Sequence, residues 1–445
     1  MLFEFFPNIL FLLVLVAATT LFVRNVNKIR QNIHLGKAID RTDNPNARWA
    51  NMARIALGQS KMVKRPLAGI LHVVVYIGFL LINIELLEIV VDGILGTHRV
   101  FAPYMGSFYN VLIATFEILA ALVLIAVVLF WTRRNILRIQ RFWKDEMKGW
   151  PKLDADLILY FEVVLMGLFL TMNAADFSIQ SQYPEASSYV QAGAFPVSQW
   201  ITPLFTGMDL SQLITIERAA WWMHIIGILC FLNYLYYSKH LHILLAFPNT
   251  YFANLSPKGK FENNTAVTAE VQLMLDPNAD PYAATETTTE VDKFGASDVM
   301  DLTKIQLLNA YTCTECGRCT SECPANQTGK KLSPRKIMMD TRDRLTEVGD
   351  NIRKNNGQFQ ADGKQLLGDY ISHEELWACT SCNACVEACP IDIDPLSIIM
   401  RMRQYLVMEE SSAPSDLNNM MSNIENNGAP WPFNQQDRAN WVQEL

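Results

Sequence analysis

Cys313-Thr314-Glu315-Cys316-Gly317-Arg318-Cys319-Thr320-Ser321-Glu322-Cys323-Pro324 recurs further along the chain as Cys379-Thr380-Ser381-Cys382-Asn383-Ala384-Cys385-Val386-Glu387-Ala388-Cys389-Pro390. In each run three cysteines are separated by two residues, and a fourth follows three residues later, directly before proline. This is the bacterial spacing for two [4Fe–4S] clusters, in which the fourth cysteine of each run ligates the other cluster. The close triplet can wrap one face of a cubane, while the distant cysteine closes the opposite corner and staples two halves of a domain together. The spacing assigns Cys313, Cys316, Cys319 and Cys389 to one cluster, and Cys379, Cys382, Cys385 and Cys323 to the other. Zinc is the alternative, but a tetrahedral zinc site draws four ligands from spaced pairs. Two clusters linked by shared ligands bring no substrate pocket of their own, so the segment reads as a one-electron relay.

The surroundings of the runs agree. Eight of the nine cysteines lie in them, the pattern of metal ligation in a reducing compartment and not of a secreted disulfide scaffold. Cys230 reads as inert apolar packing. Helix-like stretches at about 301–311, 333–346 and 394–409 frame the cysteine loops, giving an expected two-cluster ferredoxin domain at 301–410. The 445-residue chain is half apolar and 18% charged, and its charge is split: net +4 up to residue 247 and −11 beyond. An acidic, apolar-rich chain without a large basic cluster argues against a reader of nucleic acid.

Upstream, five apolar stretches at about 6–23, 67–91, 108–131, 157–175 and 219–247 reach the ~20 residues a bilayer crossing needs. The first reads as an uncleaved anchor, because Glu4 precedes it whereas Arg24, Lys28 and Arg30 follow it. The loops at 24–65 and 132–155 carry ten and seven Lys/Arg, whereas those at 92–107 and 176–218 carry only Arg99 and Arg218. The positive-inside rule then sets the amino terminus outside and everything after Pro248 in the cytoplasm. The expected architecture is mainly α: a five-helix transmembrane bundle (1–250), a polar linker (251–300) with Asn263-Asn264 and the run Thr285 to Thr289, the cytoplasmic ferredoxin domain, and an extended tail (411–445). Trp431, Phe433 and Trp441 in that polar tail suit a partner groove.

Ionisable side chains inside a membrane mark function, and histidines on facing helices are a common way to hold haem in a bundle. His72 and His242 share a depth near the cytoplasmic face and form the expected bis-histidine pair for haem b. A continuous helix places His224 and His242 five turns apart on one face and turns His240 to the opposite side. The bland reading of His72 is a hydrogen bond to a backbone carbonyl. A second haem on His224 and His98 competes with a quinone or proton site built from His224, Glu85, Glu88 and Glu117. Glu85 and Glu88 share a helix face, and burial would suit both to proton exchange with a quinone. Glu85, Glu88, Glu117 and Glu162 all lie in apolar runs, and each is open to the plainer reading of a helix-end residue that reaches the interface.

The stretch Tyr311 to Asn326, with Lys331-Leu332-Ser333-Pro334-Arg335 after it, resembles heterodisulfide-reductase-related iron–sulfur proteins, and so does Tyr237-Ser238-Lys239-His240-Leu241-His242 followed by Pro248-Asn249. The resemblance implies a five-helix haem b module, similar to the gamma subunit of respiratory nitrate reductase, joined to a two-cluster ferredoxin domain. The nitrate-reductase-like module keeps two haems; here Ile82 or Asn83 stands at one ligand position of the second helix. Many relatives continue into a segment of cysteine-rich CCG repeats, usually preceded by a stretch like Pro430-Trp431 to Arg438-Ala439-Asn440-Trp441. The resemblance therefore implies a separate CCG-type iron–sulfur subunit docked on this tail. It also implies an oxidoreductase subunit that connects the quinone pool, through haem b and two [4Fe–4S] clusters, to that partner. The alternatives are a redox-sensing membrane anchor and a transmembrane conduit to an outer-face partner.

Overall fold

The computed structural model describes residues 5–186, 189–261, 263, 265–277 and 293–443. Among these there is no β-strand, only the isolated bridges Lys37 with Thr303 and Leu367 with Ile371. The run Thr285 to Thr289 lies outside the described residues, as does Asn264.

Five long helices make the bundle: α1 (Phe6–Ile33), α2 (Pro66–Leu95), α3 (Ser107–Asn135), α4 (Trp150–Gln182) and α5 (Leu210–Tyr234). Each is long and apolar enough to cross a membrane. At 1.5 Å per residue they span roughly 37–50 Å, more than the ~30 Å hydrocarbon core, so their ends project beyond it. The starts and stops follow local chemistry. Pro66 opens α2, where its missing N–H costs nothing, and Gly96, with φ +74°, closes it. Asp209 and Gln212 form a reciprocal capping box at the start of α5.

Neighbours in sequence pack side by side, α2 on α3, α3 on α4 and α4 on α5, and α1 closes the ring against α2 and α5. Gly78 permits the α2–α3 approach: a Cβ there would stand 2.5 Å from Val123 Cγ2. The bundle core holds Phe11, Tyr109, Ile113, Phe116, Phe169 and Trp221, while Leu12, Leu13, Val16 and Leu21 of α1 face outward.

The soluble domain is a helical core of α7 (Lys304–Thr312), α9 (Pro334–Lys354) and α11 (Pro395–Met408), reached from the bundle through α6 (His242–Tyr251). Ile29 of α1, Leu235 and Leu241 share one apolar cluster with Leu307, Ile337, Val348 and Met402, so bundle and ferredoxin domain have a common core. Asn32, at the end of α1, donates to the Tyr311 hydroxyl (2.7 Å) and accepts from Arg353 (2.7 Å). Gly349 makes room for it, since a Cβ there would lie 2.0 Å from Asn32 Oδ1.

Three sequence expectations differ from this picture. The fifth apolar stretch is not one helix to residue 247: α5 stops at Tyr234, two 3₁₀ turns follow at Leu235–Tyr237 and Lys239–Leu241, and α6 begins at His242. Part of the expected linker is ordered: Thr265–Leu275 is helical, and Ala296 and Val299 lie fully buried in the ferredoxin core. The tail is not simply extended either, because α12 (Ser415–Asn427) and a 3₁₀ run at Gln435–Gln443 occupy it, both without a buried residue.

Candidate metal centres

Both cysteine runs fold alike. Glu315 and Ser381 precede the second cysteine with φ of +54° and +56°, and Gly317 and Asn383 follow it with φ of +71° and +59°. These left-handed residues turn the chain so that the third cysteine rides on a short helix, α8 (Arg318–Glu322) or α10 (Ala384–Ala388), and the fourth follows in extended backbone before proline. Non-glycine residues adopt this region at a cost, most readily Asn. At Gly317 the positive φ strains any side chain, and a Cβ would stand 2.5 Å from Arg335 Nη1 and displace that guanidinium.

The two short helices pack on each other, and this brings the runs together crosswise. Cys313, Cys316, Cys319 and Cys389 line one small cavity with Gly317, Arg335 and Met338. Cys323 lies instead in the electrostatic neighbourhood of Cys379 and Cys385, with Cys382 beside Cys379. Burial pushes the Cys313 thiol up to about 11 and the Cys389 thiol up to about 12. Ligation needs thiolates, so these sulfurs suit a cationic iron core and would stay neutral without one. Arginines rim the sulfurs. Arg141 and Arg318 act on Cys316, Arg342 on Cys313 and Arg403 on Cys379. The amides of Ile393 and Ser381 donate to Cys389 Sγ (3.3 Å) and Cys379 Sγ (3.4 Å).

The first run is clamped to the membrane half. Arg318 donates to the carbonyls of Lys61 and Met62 (both 3.1 Å), and the buried Arg335 donates to the Arg141 carbonyl (2.7 Å) and to Glu146 (2.6 Å). Lys239 pairs with Glu315, which also accepts from Arg342 (2.7 Å). Although burial opposes it, Lys239 and Arg342 together hold the Glu315 carboxyl below its usual range. Burial of the Lys239 ammonium outweighs what Glu315 returns, so that lysine also sits below its usual value.

Lys239 belongs to the turn that carries the histidines. The rings of His72 and His242 have centroids 6.5 Å apart. His242 Nδ1 faces the Lys239 carbonyl at 3.2 Å, leaving Nε2 for a ligand, and His72 Nδ1 is buried with no hydrogen-bond partner. These two residues therefore fit a haem iron. His240 does not point to the opposite side: its ring lies 5.3 Å from that of His242 and 5.5 Å from that of Phe231, because the helix that would have turned it away is broken.

The expected pairing of His224 with His98 is not formed. His224 Nδ1 faces the Leu165 carbonyl (3.0 Å) and its ring packs on Phe169, whereas His98 lies against Asp176 (3.5 Å), the Val190 amide (3.4 Å) and the Tyr189 ring. The glutamates stay together, with Glu85 in the electrostatic neighbourhood of Glu88, Glu117 and Arg99, but each is held differently. Glu88 accepts from the Tyr109 hydroxyl (2.6 Å) and the Phe101 amide (2.8 Å). Glu117 accepts from Asn173 (3.2 Å) and from the amides of Val197 (2.9 Å) and Ser198 (3.1 Å). Glu85 Oε2 is buried without a partner.

Sequence reading missed the group that organises them: Arg99, which donates to Asp176 (2.6 Å), Tyr109 (3.1 Å) and Asn173 (3.1 Å).

Residues 312–393 match the 4Fe-4S dicluster domain. Over 98% of its length the chain is 30% identical to the probable iron-sulfur-binding oxidoreductase FadF of Bacillus subtilis, covering 61% of that protein. It is 25% identical, over 87% of its length, to the EtfAB:quinone oxidoreductase of Syntrophomonas wolfei, covering 53% of it. Over 34% of its length it is 31% identical to the probable membrane-anchored ferredoxin of Chromohalobacter salexigens, covering 24% of it. Shorter matches, over about a third of the chain or less, are to subunits of methanogen CoB–CoM heterodisulfide reductases. Its homologues are iron–sulfur oxidoreductases. They are related to heterodisulfide reductase, and the chain spans between half and two thirds of the first two relatives' length. No solved structure gives a significant match. The dicluster domain carries two [4Fe–4S] clusters, here below five membrane-length helices.

Proposed function

We propose that this protein is a membrane-bound electron-transfer subunit linking the quinone pool, through haem b and two [4Fe–4S] clusters, to a cytoplasmic CCG-type redox partner. The observation that carries the reading is the fastening of the histidine turn to the first cysteine run by Lys239 and Glu315. It sets the residues that would hold haem next to those that would hold a cluster. Cys313, Cys316, Cys319 and Cys389 hold one cluster, Cys379, Cys382, Cys385 and Cys323 the other, and His72 and His242 the haem. When bound, these groups supply one-electron carriage, matching a quinol that releases two electrons and two protons.

The chain's own residues supply the rest. Glu85, buried and without a partner, is the carboxyl able to take and return a proton at the outer half of the bundle. Glu88 is held by Tyr109 and Phe101, and Arg99 with Asp176 fixes the wall beside them. His224, its Nδ1 at the Leu165 carbonyl, is the second polar contact for the quinone ring in this reading. The cysteine-bearing end faces the same side as the basic loops 24–65 and 132–155, which supports a cytoplasmic iron–sulfur domain and an outer amino terminus. The relative named for EtfAB and quinone supports the quinone end. The exposed Trp431, Phe433 and Trp441 offer the partner its anchor.

The test is a reduced-minus-oxidised optical spectrum of purified protein with iron and haem quantification, followed by addition of a quinol analogue. Haem b and about eight irons per chain, both reduced by the quinol, are expected. Haem-free protein, or clusters that the quinol leaves oxidised, would overturn the reading.

A further inference from the structure

Away from the histidines, a cavity of about 470 Å³ opens between the stretch Arg41 to Lys64, the segment Ala253 to Phe261 and the face of the ferredoxin domain formed by α7, α10 and α11. Its size is that of a small-molecule site. Seven cationic side chains line it against three carboxylates. Some of the charge is neutralised: Lys61 pairs with Asp392 (2.7 Å), Lys64 and Lys258 share Glu387 (both 2.6 Å), and Arg41 lies in the field of Asp43 and Asp394. Three cations are left over. Arg54 reaches only the amide oxygen of Asn51, Arg401 only that of Gln404 at 3.3 Å, and Lys260 has no side-chain partner among the described residues.

Arg401 is the telling one. It is half-buried on α11, and burial lowers its guanidinium below the usual value, with no carboxylate among the described residues to offset the cost. A desolvated guanidinium without a counter-ion is expensive unless an anion joins it. Ser60 adds a second orphan, its hydroxyl buried at the cavity wall with no hydrogen-bond partner. A guanidinium, an ammonium and a hydroxyl around one space match the acceptor oxygens of a phosphoryl group, which takes several charge-assisted bonds at once.

We propose that this cavity binds a phosphate-bearing anion, held by Arg401, Lys260 and Ser60 with Arg54 at the rim. Two sources share that chemistry. Lys64 in the cavity wall stands just before Pro66, the first residue of α2, so the headgroup of an anionic lipid at the membrane surface can reach it. A free phosphorylated compound can enter from solvent.

The full chain, with clusters loaded, is to be reconstituted in phosphatidylcholine nanodiscs and titrated with pyrophosphate by calorimetry. In a second arm phosphatidylglycerol is introduced and the retained lipid counted by native mass spectrometry. Saturable binding in either arm is expected, weakened about tenfold, ~1.4 kcal/mol, by Arg401→Gln and by Lys260→Gln. Lys331→Gln, a distant surface cation, should leave it unchanged. Binding in the first arm assigns a free compound, and binding in the second alone assigns a lipid headgroup. The Lys260 side chain is exposed and makes no bond among the described residues, so its variant keeps the test sharp even where Arg401→Gln disturbs folding. Absence of binding in both arms overturns the proposal, as does binding that ignores both substitutions.

Discussion

Lys239 and Glu315 form an ion pair across the junction between bundle and ferredoxin domain, one from the histidine turn and the other from the first cysteine run, with side chains only 9% and 2% exposed. A buried pair contributes modestly while intact, but losing one partner strands a charge at a cost of about 3–5 kcal/mol. Glu315→Gln takes the shared carboxylate from two cations at once, leaving Lys239 with the Pro151 carbonyl and Asp154 at 3.8 Å and Arg342 with the more exposed Asp343, whereas Lys239→Met leaves Glu315 still held by Arg342. The glutamate variant should therefore be the less stable of the two in thermal unfolding. Equal losses would mean that Arg342 does not share the carboxylate.

The same pair sets a pH dependence. Glu315 is held below its usual value in the folded chain, so its contribution is fully present above the unfolded carboxylate range and disappears as pH falls through the folded value. The domain junction should loosen in acid, seen as faster proteolysis between residues 252 and 300, and Glu315→Gln should flatten that acid dependence.

His72→Ala and His242→Ala should each abolish the same low-spin haem signal, since their rings face each other across 6.5 Å. His240→Ala should retain haem but shift its spectrum, because that ring touches His242. Loss of haem in His240→Ala with survival in His242→Ala would transfer the ligand role to His240.

Cys389→Ser should damage the cluster built on the first run, although it lies in the second, because Cys389 shares its cavity with Cys313, Cys316 and Cys319. Electron paramagnetic resonance would show the altered signal, with iron falling toward about four per chain. A change confined to the cluster of Cys379, Cys382 and Cys385 would refute the crosswise pairing.

Removal of residues 411–445 should release the partner while leaving clusters and haem assembled. Trp431, Phe433 and Trp441 are 57%, 67% and 62% exposed, and each can bury on the order of 150–250 Å² in a groove. Co-purification of an unchanged set of subunits with the truncated chain would show that these aromatics hold no partner.

The spans and the dicluster domain were readable from sequence because each rests on local regularity: twenty apolar residues in a row, or thiols at fixed short spacing. The histidine turn was not. Leu229 to Phe247 is largely apolar, and Ser238 and Lys239 gave no glycine or proline to mark the break. What ends α5 is tertiary, the demand of Asp154 and Glu315 for the backbone and side chain of Lys239. The Arg99–Asp176 pair was hidden for a related reason, since its partners are 77 residues apart and meet only when α4 packs beside α3 and the 96–106 loop folds inward.

The reach of α1 into the ferredoxin domain bears on how the chain is made. Asn32 bonds to Tyr311, which leaves the ribosome 279 residues later. At about 5–20 residues per second, the first helix waits roughly 15–60 s before its amide and the Gly349 notch can meet. During that interval Asn25, Ile29 and Asn32, all buried in the finished protein, have no permanent neighbours. The packing of this helix is thus completed only when the iron-binding half has been translated.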